Sequence, residues 1–201
     1  KLGFVKEGET VNEPNILHQP MRVTLDPIDK PGRPAPKPRD TLVEIAEIKT
    51  LDETQAAIIQ LISKARRQIC IYSPDLEPVL YGRADVVEAL KQFAINSGGG
   101  NVLIIVQDTM AVGSQPHPLI DLAQRLPSVF LLRTPVENDD LQYPSAYIIN
   151  DRDGYLFRQQ SSHYLGVWSP SMPPRNRQLS EEFERVWQRC RACTEFRALG
   201  L

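Results

Sequence analysis

Residues 69–107 read ICIYSPDLEPVLYGRADVVEALKQFAINSGGGNVLIIVQ. Ile69–Tyr72 is a short apolar run with β-branched and aromatic residues, closed by Ser73-Pro74, and it predicts a strand. From about Arg83 to Ile95 the apolar residues fall at helical spacing, with Val86, Val87, Leu90, Phe93 and Ala94 on one face. Gly98, Gly99 and Gly100 stop that helix, and Asn101–Gln107 then predicts the strongest strand of the chain. Strand, helix and strand in close succession specify an α/β sheet.

The same alternation extends outward in both directions. Upstream, Leu42, Val43, Ile45 and Ile48 suggest an extended segment. Thr50-Leu51-Asp52-Glu53 has the spacing of a capping box, and Ala57, Ile58, Leu61, Ile62 and Ala65 make the inner face of the helix it opens. Downstream, Pro118 starts a helix carrying Leu119, Leu122, Ala123 and Leu126, and Val129–Leu132 is another strand. Ala146–Asn150 and Tyr155–Arg158 are two strands joined by an Asp151–Gly154 turn. A last helix is expected over 180–196, with Ser180 as N-cap and Phe183, Val186 and Trp187 inward. Between these, Trp168 to Pro174 reads as a long irregular loop. The expected fold class is α/β, a mixed and mostly parallel sheet with helices on both faces, occupying residues 41–201.

Residues 26–40, DPIDKPGRPAPKPRD, hold five prolines in 15 positions and predict a semi-rigid linker. Before it, residues 1–25 read as two short strands, one at Leu2–Val5 and one alternating Met21, Val23 and Leu25. Two strands need a sheet to join. Together with a first residue that is Lys1 and not Met, this predicts an upstream domain.

With Lys+Arg 23 against Asp+Glu 25, the chain of 201 residues has a net charge of −2. That balance disfavours non-specific nucleic-acid binding over the whole surface but leaves room for a local basic groove. No apolar run approaches the roughly 20 residues that span a bilayer. The three cysteines, Cys70, Cys190 and Cys193, are an odd, low number that fits a reduced, cytoplasmic protein without membrane partners.

Two resemblances follow from particular residues. Lys1-Leu2-Gly3-Phe4 looks like the end of the Tyr-x-x-x-Gly-Phe signature of GNAT acetyltransferases. Ile16-Leu17-His18-Gln19-Pro20-Met21 resembles the Gly-Ile-Pro-His-x-x-Met segment of a bacterial subgroup of that family. The resemblance implies that residues 1–25 are the last two strands of an N-acetyltransferase. Its full-length parent would use acetyl-CoA, held on the amides of a Gly-rich loop at a helix N-terminus. That loop is not in this chain, which by itself should bind no cofactor. The upstream acyltransferase domain would be its partner, and His18 would shape the acceptor cleft.

Residues 43–190 resemble a phospholipase D-like domain in the order of the helix before Ile69, the strands at 69–73 and 102–106, and the later Ile148-Ile149-Asn150-Asp151. That superfamily cleaves phosphodiesters through His-x-Lys-x4-Asp, the histidine attacking phosphorus and the lysine steadying the charge on its oxygens. With Asp151 as the motif's aspartate, the histidine position holds Pro144 and the lysine position Ala146. The resemblance therefore implies the fold without its usual chemistry. It also allows a homodimer through this domain.

Among the remaining polar residues, Asp75, Asp108 and His117 follow strand ends, where open α/β sheets gather ligands. With His18 they are the candidate acceptor-cleft or ligand residues, and no catalytic or metal-binding set is expected. Cys190 and Cys193, one helical turn apart, lack the two further ligands of a zinc site. Arg152, Arg158, Arg175, Arg177, Arg185, Arg189 and Arg191 cluster late and could form a phosphate-binding face, although Glu181, Glu182 and Glu184 lie among them. Three functions follow: the tail of an N-acetyltransferase with a non-catalytic accessory domain; a degenerate phospholipase D-like module that binds nucleic acid or another phosphate-bearing ligand without cleavage; and a hydrolase built on His117 and Asp108.

Overall fold

The computed structural model describes residues 45–196. The expectations placed on residues 1–25, His18 among them, and on the linker at 26–40 lie outside these residues. In chain order the elements are β1 (Ala46–Ile48), α1 (Leu51–Lys64), β2 (Gln68–Ser73), α2 (Pro78–Tyr81), α3 (Ala84–Asn96), β3 (Asn101–Val106), α4 (Thr109–Gly113) and α5 (Pro118–Arg125). There follow β4 (Phe130–Thr134), α6 (Asn138–Leu141), β5 (Ala146–Asn150), β6 (Tyr155–Arg158), β7 (Gly166–Ser169), α7 (Pro173–Arg189) and β8 (Arg191–Ala192).

The strands form one mixed sheet in the order β1-β7-β6-β5-β2-β3-β4-β8. Parallel pairing is confined to β2–β3 and β3–β4, each joined by a helical crossover. The other five neighbours pair antiparallel. Side chains alternate across the central strands. Ile69 and Ile71 of β2, with Ile104 and Ile148, pack under α1, α3 and α5. Cys70 and Tyr72, with Ile105, Tyr147 and Ile149, pack under α7. The expected mixed α/β sheet with helices on both faces is thus present, but parallel pairing is its minority, because the late strands β5, β6 and β7 follow one another as an antiparallel meander. On the α7 face aromatic rings touch in series, Tyr72 on Tyr147, Tyr147 on Phe183 and Phe183 on Trp187, with centroids 5.3, 6.5 and 5.7 Å apart.

The capping box forms as read: Glu53 N–H donates to Thr50 Oγ1 at 3.2 Å, and the Glu53 carboxylate accepts from Thr50 N–H at 3.2 Å. Three expectations are corrected. The last helix begins at Pro173 and ends at Arg189, because Pro173 and Pro174 occupy its first turn, where the missing amide N–H costs nothing. Ser180 lies inside that helix, and its hydroxyl bonds Asn176 Oδ1 at 3.3 Å. The stretch around Trp168 is not an irregular loop: Gly166–Ser169 is β7, between β6 and β1.

The β5–β6 turn ties the layers together. Asn150, 4% exposed, donates through Nδ2 to the Leu61 carbonyl of α1 at 2.7 Å. Its Oδ1 accepts from the amides of Arg152 and Gly154, at 3.0 and 2.9 Å. Asn176 of α7 donates to the carbonyls of Asn150 and Gly154, at 3.0 and 2.7 Å. A Cβ on Gly154 would come within 2.6 Å of Leu61 Cδ2 and 3.0 Å of Asn150 Oδ1, so a larger residue would have to displace the Leu61 side chain.

Asn150→Ala strands the buried Gly154 amide and removes one of the two donors to the Leu61 carbonyl, which keeps only the Ala65 amide. The expected cost is about 2–3 kcal/mol, seen as a lower urea midpoint with an unchanged m-value.

Candidate functional site

Strands β2, β3 and β4 run parallel and end at Ser73, Val106 and Thr134, while antiparallel β5 begins at Ala146 and β6 ends at Arg158. All five ends meet on one edge of the sheet, the carboxyl edge, where an open α/β fold has its crevice. The loop after β2 is tightly built. Leu76 has φ 55°, its amide donates to Ser73 Oγ at 3.1 Å, and the Glu77 amide donates to Asp75 Oδ1 at 3.1 Å. A groove of about 340 Å³ opens there between Asp75, Glu77 and Val79 on one side and Ser161, Ser162 and Tyr164 on the other.

Pro144 and Ala146, at the positions of the motif's histidine and lysine, stand at the start of β5 on this edge, and Ser145 Oγ between them donates to the Gln159 carbonyl at 2.9 Å. Deep in the edge is one guanidinium, Arg158, at 1% exposure. Both of its terminal nitrogens bond the Glu77 carboxylate, and Nη1 also donates to the carbonyls of Ser161 and His163, at 3.0 and 3.2 Å. Burial pushes the Glu77 carboxyl up, against the hydrogen bonds and charge of Arg158, which pull it down. A pair this deep spends its attraction on its own desolvation. It locks the β2 loop to the end of β6 and presents no free cation to a ligand. Nothing in the sequence joins these two residues, 81 positions apart.

Asp75 lines the groove. Asp108 is the N-cap of α4, its carboxylate accepting from the Ala111 amide at 2.9 Å. His117, 3% exposed, caps α5: Nδ1 accepts from the Leu119 amide at 3.2 Å, so Nε2 carries the proton and donates to the Leu76 carbonyl at 3.1 Å. The three residues share this edge, but each bonds backbone, and among the described residues His117 and Asp108 make no hydrogen bond to each other. His18 lies outside the described residues.

Behind the edge is a polar cluster that sequence reading missed. Gln107 Nε2 donates to the carbonyls of Asp140 and Tyr143, at 2.7 and 2.8 Å, and Tyr72 Oη to that of Asp140 at 2.8 Å. The Asp140 carboxylate pairs with Arg189 at 2.6 Å. Asp140 Oδ2 and Tyr147 Oη have no partner among the described residues, and burial raises the Tyr147 phenol strongly.

The late arginines do not form one face. Arg158 is sealed inside, Arg189 and Arg191 pair with Asp140 and Glu195, and Arg175 lies over the Phe157 ring at 4.7 Å. Cys190 caps the end of α7 and Cys193 follows β8, so the two are not one turn apart on a helix. Burial pushes all three thiols up, Cys70 and Cys193 to about 12 and Cys190 to about 11.

Residues 50–199 match the family model described as "Domain of unknown function (DUF7931)"; the match begins after residues 1–25. No curated protein matches the chain. Its fold resembles three solved structures. One is TrmBL2, an archaeal chromatin protein described as showing a novel mode of DNA binding (TM-score 0.55, 11% identity, 78% of this chain and 56% of that one). Another is Nuc from Salmonella typhimurium, a phospholipase D family member (0.54, 17%, 77% and 99%). The third is a phosphatidylserine synthase of Haemophilus influenzae Rd KW20 (0.53, 14%, 77% and 41%). The chain therefore spans about half the length of two of these structures. The shared feature is a phospholipase D-like fold, and none of the three is an acyltransferase.

Glu77→Ala leaves the Arg158 charge buried and alone, and is expected to cost about 3–5 kcal/mol in urea unfolding. The double variant Glu77→Leu with Arg158→Leu should recover part of that loss. The thiols are expected to react slowly with Ellman's reagent at pH 8 in the native protein, and all three at once in guanidinium, since the thiolate is the reactive form.

Proposed function

We propose that this chain, which belongs to the DUF7931 family, is a phospholipase D-like module that holds a phosphate-bearing ligand without cleaving it. The observation that carries the absence of cleavage is the carboxyl edge. Proline at the nucleophile position cannot attack phosphorus, and alanine at the lysine position cannot steady the charge that develops on its oxygens. The one guanidinium nearby already has a carboxylate and two carbonyls. The names of the similar folds, a DNA-binding chromatin protein, a phospholipase D family member and a phosphatidylserine synthase, support a phosphate-bearing ligand.

The carboxyl edge itself suits such a ligand poorly. Asp108, Glu137 and Asp139 are exposed along it, and its cations Arg158 and Arg189 are spent on Glu77 and Asp140. It also exposes Val79, Met110, Val136, Leu141 and Leu165, five of the eight large apolar side chains exposed among the described residues. A polyanion would be repelled there.

A second reading rests on residues 1–25 alone. Their resemblance to the end of an N-acetyltransferase would make this module an accessory to an acetyl-CoA enzyme, to be tested by acetyl-CoA binding to the full-length gene product.

Purified protein is expected to release no 4-nitrophenolate from bis(4-nitrophenyl) phosphate above buffer between pH 5 and pH 9, with or without divalent metal. It should nevertheless be retained on heparin at low salt in spite of its net charge of −2. Turnover that follows the protein through a second column, or flow-through on heparin at low salt, would overturn the proposal.

A further inference from the structure

We infer that the opposite, amino edge of the sheet carries a nucleic-acid-binding site centred on Lys64, Arg66, Arg67 and Arg152; this rests on the proposal of a non-cleaving phosphate-binding module and gives it a place and a ligand class. Lys64 ends α1, Arg66 and Arg67 form the turn into β2, and Arg152 lies in the β5–β6 turn. All four are exposed. Among the described residues none of the four pairs with a carboxylate, whereas Arg83, Lys91, Arg158, Arg189 and Arg191 all do.

The two turns are fixed against each other by Asp151. One of its oxygens accepts from the Arg66 amide and the other from the Arg67 amide, each at 2.9 Å, and the Asp151 amide donates to the Gln68 carbonyl at 3.1 Å. The Arg67 carbonyl accepts from the Asn101 amide at 2.8 Å. The backbone under the arginines is therefore rigid and only their side chains must be ordered on binding, which lowers the entropic cost.

Beside Arg66 a groove of about 350 Å³ runs between α1 and α3. Arg66, Ser63, Gln92, Asn96 and Ser97 supply its polar groups, Ala65 and Phe93 line it as apolar surface, and no carboxylate lines it. The neighbouring groove under α7 is lined by four carboxylates, Asp151, Asp153, Glu181 and Glu184, against one cation, Arg185, so a polyanion is directed to the α1–α3 side. Guanidiniums grip phosphates, and the side-chain amide of Asn96 can donate and accept at base edges, while that of Gln92, whose Nε2 donates to Glu88 at 2.8 Å, keeps its oxygen as an acceptor. A membrane surface would require exposed apolar side chains to insert. Next to this groove there is one, Ile95, while five of the other seven lie along the carboxyl edge.

The test is fluorescence anisotropy of a labelled single-stranded 15-mer with the full chain at several salt concentrations. Four phosphate contacts predict a log–log salt slope of about −3. Arg66→Glu with Arg67→Glu should weaken binding at least about 30-fold and flatten the slope by at least about 1. Arg177→Glu with Arg185→Glu, both exposed on α7, should leave both unchanged. All four positions are exposed, so a thermal melt should match the parent protein. Equal binding by the Arg66/Arg67 variant would overturn the site while leaving the phosphate-binding module standing. Absence of binding by the parent chain at low salt would overturn both. Arg66/Arg67-dependent binding to phosphatidylglycerol vesicles, with none to the oligonucleotide, would overturn the ligand class.

Discussion

The turn at Asn150–Gly154 is the joint on which both helical layers depend. Through Asn150 it holds the last turn of α1, through Asn176 it is held by the first turns of α7, and through Asp151 it fixes the entry to β2. Each of these bonds reaches a backbone group at the end of a helix or strand, and the Asp151 carboxylate satisfies two amides that have no regular partner there. Packing alone would let the two layers slide on the sheet, because apolar contact is not directional. The joint fixes α1 and α7 over the two faces to which the pleat of β2 sends Ile71 and Tyr72.

At the far end of the same strands the polar groups point inward on one another. Arg158 and Glu77 close the loop after β2 on the end of β6, and Gln107, Asp140 and Arg189 close the loops after β3 and β4 on α7. In a low-dielectric interior these pairs are held by the cost of breaking them more than by their attraction. An edge organised this way has spent its charges on its own loops. On the opposite edge, where helix ends and turns face water, Lys64, Arg66, Arg67 and Arg152 are left to meet a ligand.

Much of the fold could be read from the chain because its signals are local. The Thr50–Glu53 box, the glycines at 98–100 and the alternating runs around Ile71 and Ile104 each act over a few residues. The sequence pattern places the last helix too late for an equally local reason. Ser180 resembles a cap and Pro173-Pro174 resembles a loop, yet proline suits the first turn of a helix, and the apolar stripe begins at Leu179. β7 was missed because a four-residue edge-side strand ending in Ser169-Pro170 carries almost no periodicity. The site was harder still. Pro144 and Ala146 showed what chemistry was lacking, but the pairing of Arg158 with Glu77 depends on strand order, which no local pattern encodes. His117 was marked for its place after a strand, and it is a cap because both ring nitrogens are taken by backbone.

The motif positions also show why catalysis and folding separate so cleanly here. They lie on one antiparallel strand, with the histidine and lysine positions at its start and the aspartate just past its end, roughly 17 Å apart for five residues at 3.4 Å each. The start lies at the carboxyl edge, with Pro144 exposed and Ala146 buried. Pro144 and Ala146 there strand no backbone group, since the strand's start is the loop side. The end faces the joint, where the Asp151 carboxylate holds two amides that have no other acceptor. An oxygen lost there leaves donors unpaired at the entry to the central strand, and each such donor costs about 1–3 kcal/mol. The chemistry can therefore vanish from one end of β5 while the carboxylate at the other end stays necessary to the fold, and that carboxylate also sets the backbone beneath Arg66 and Arg67.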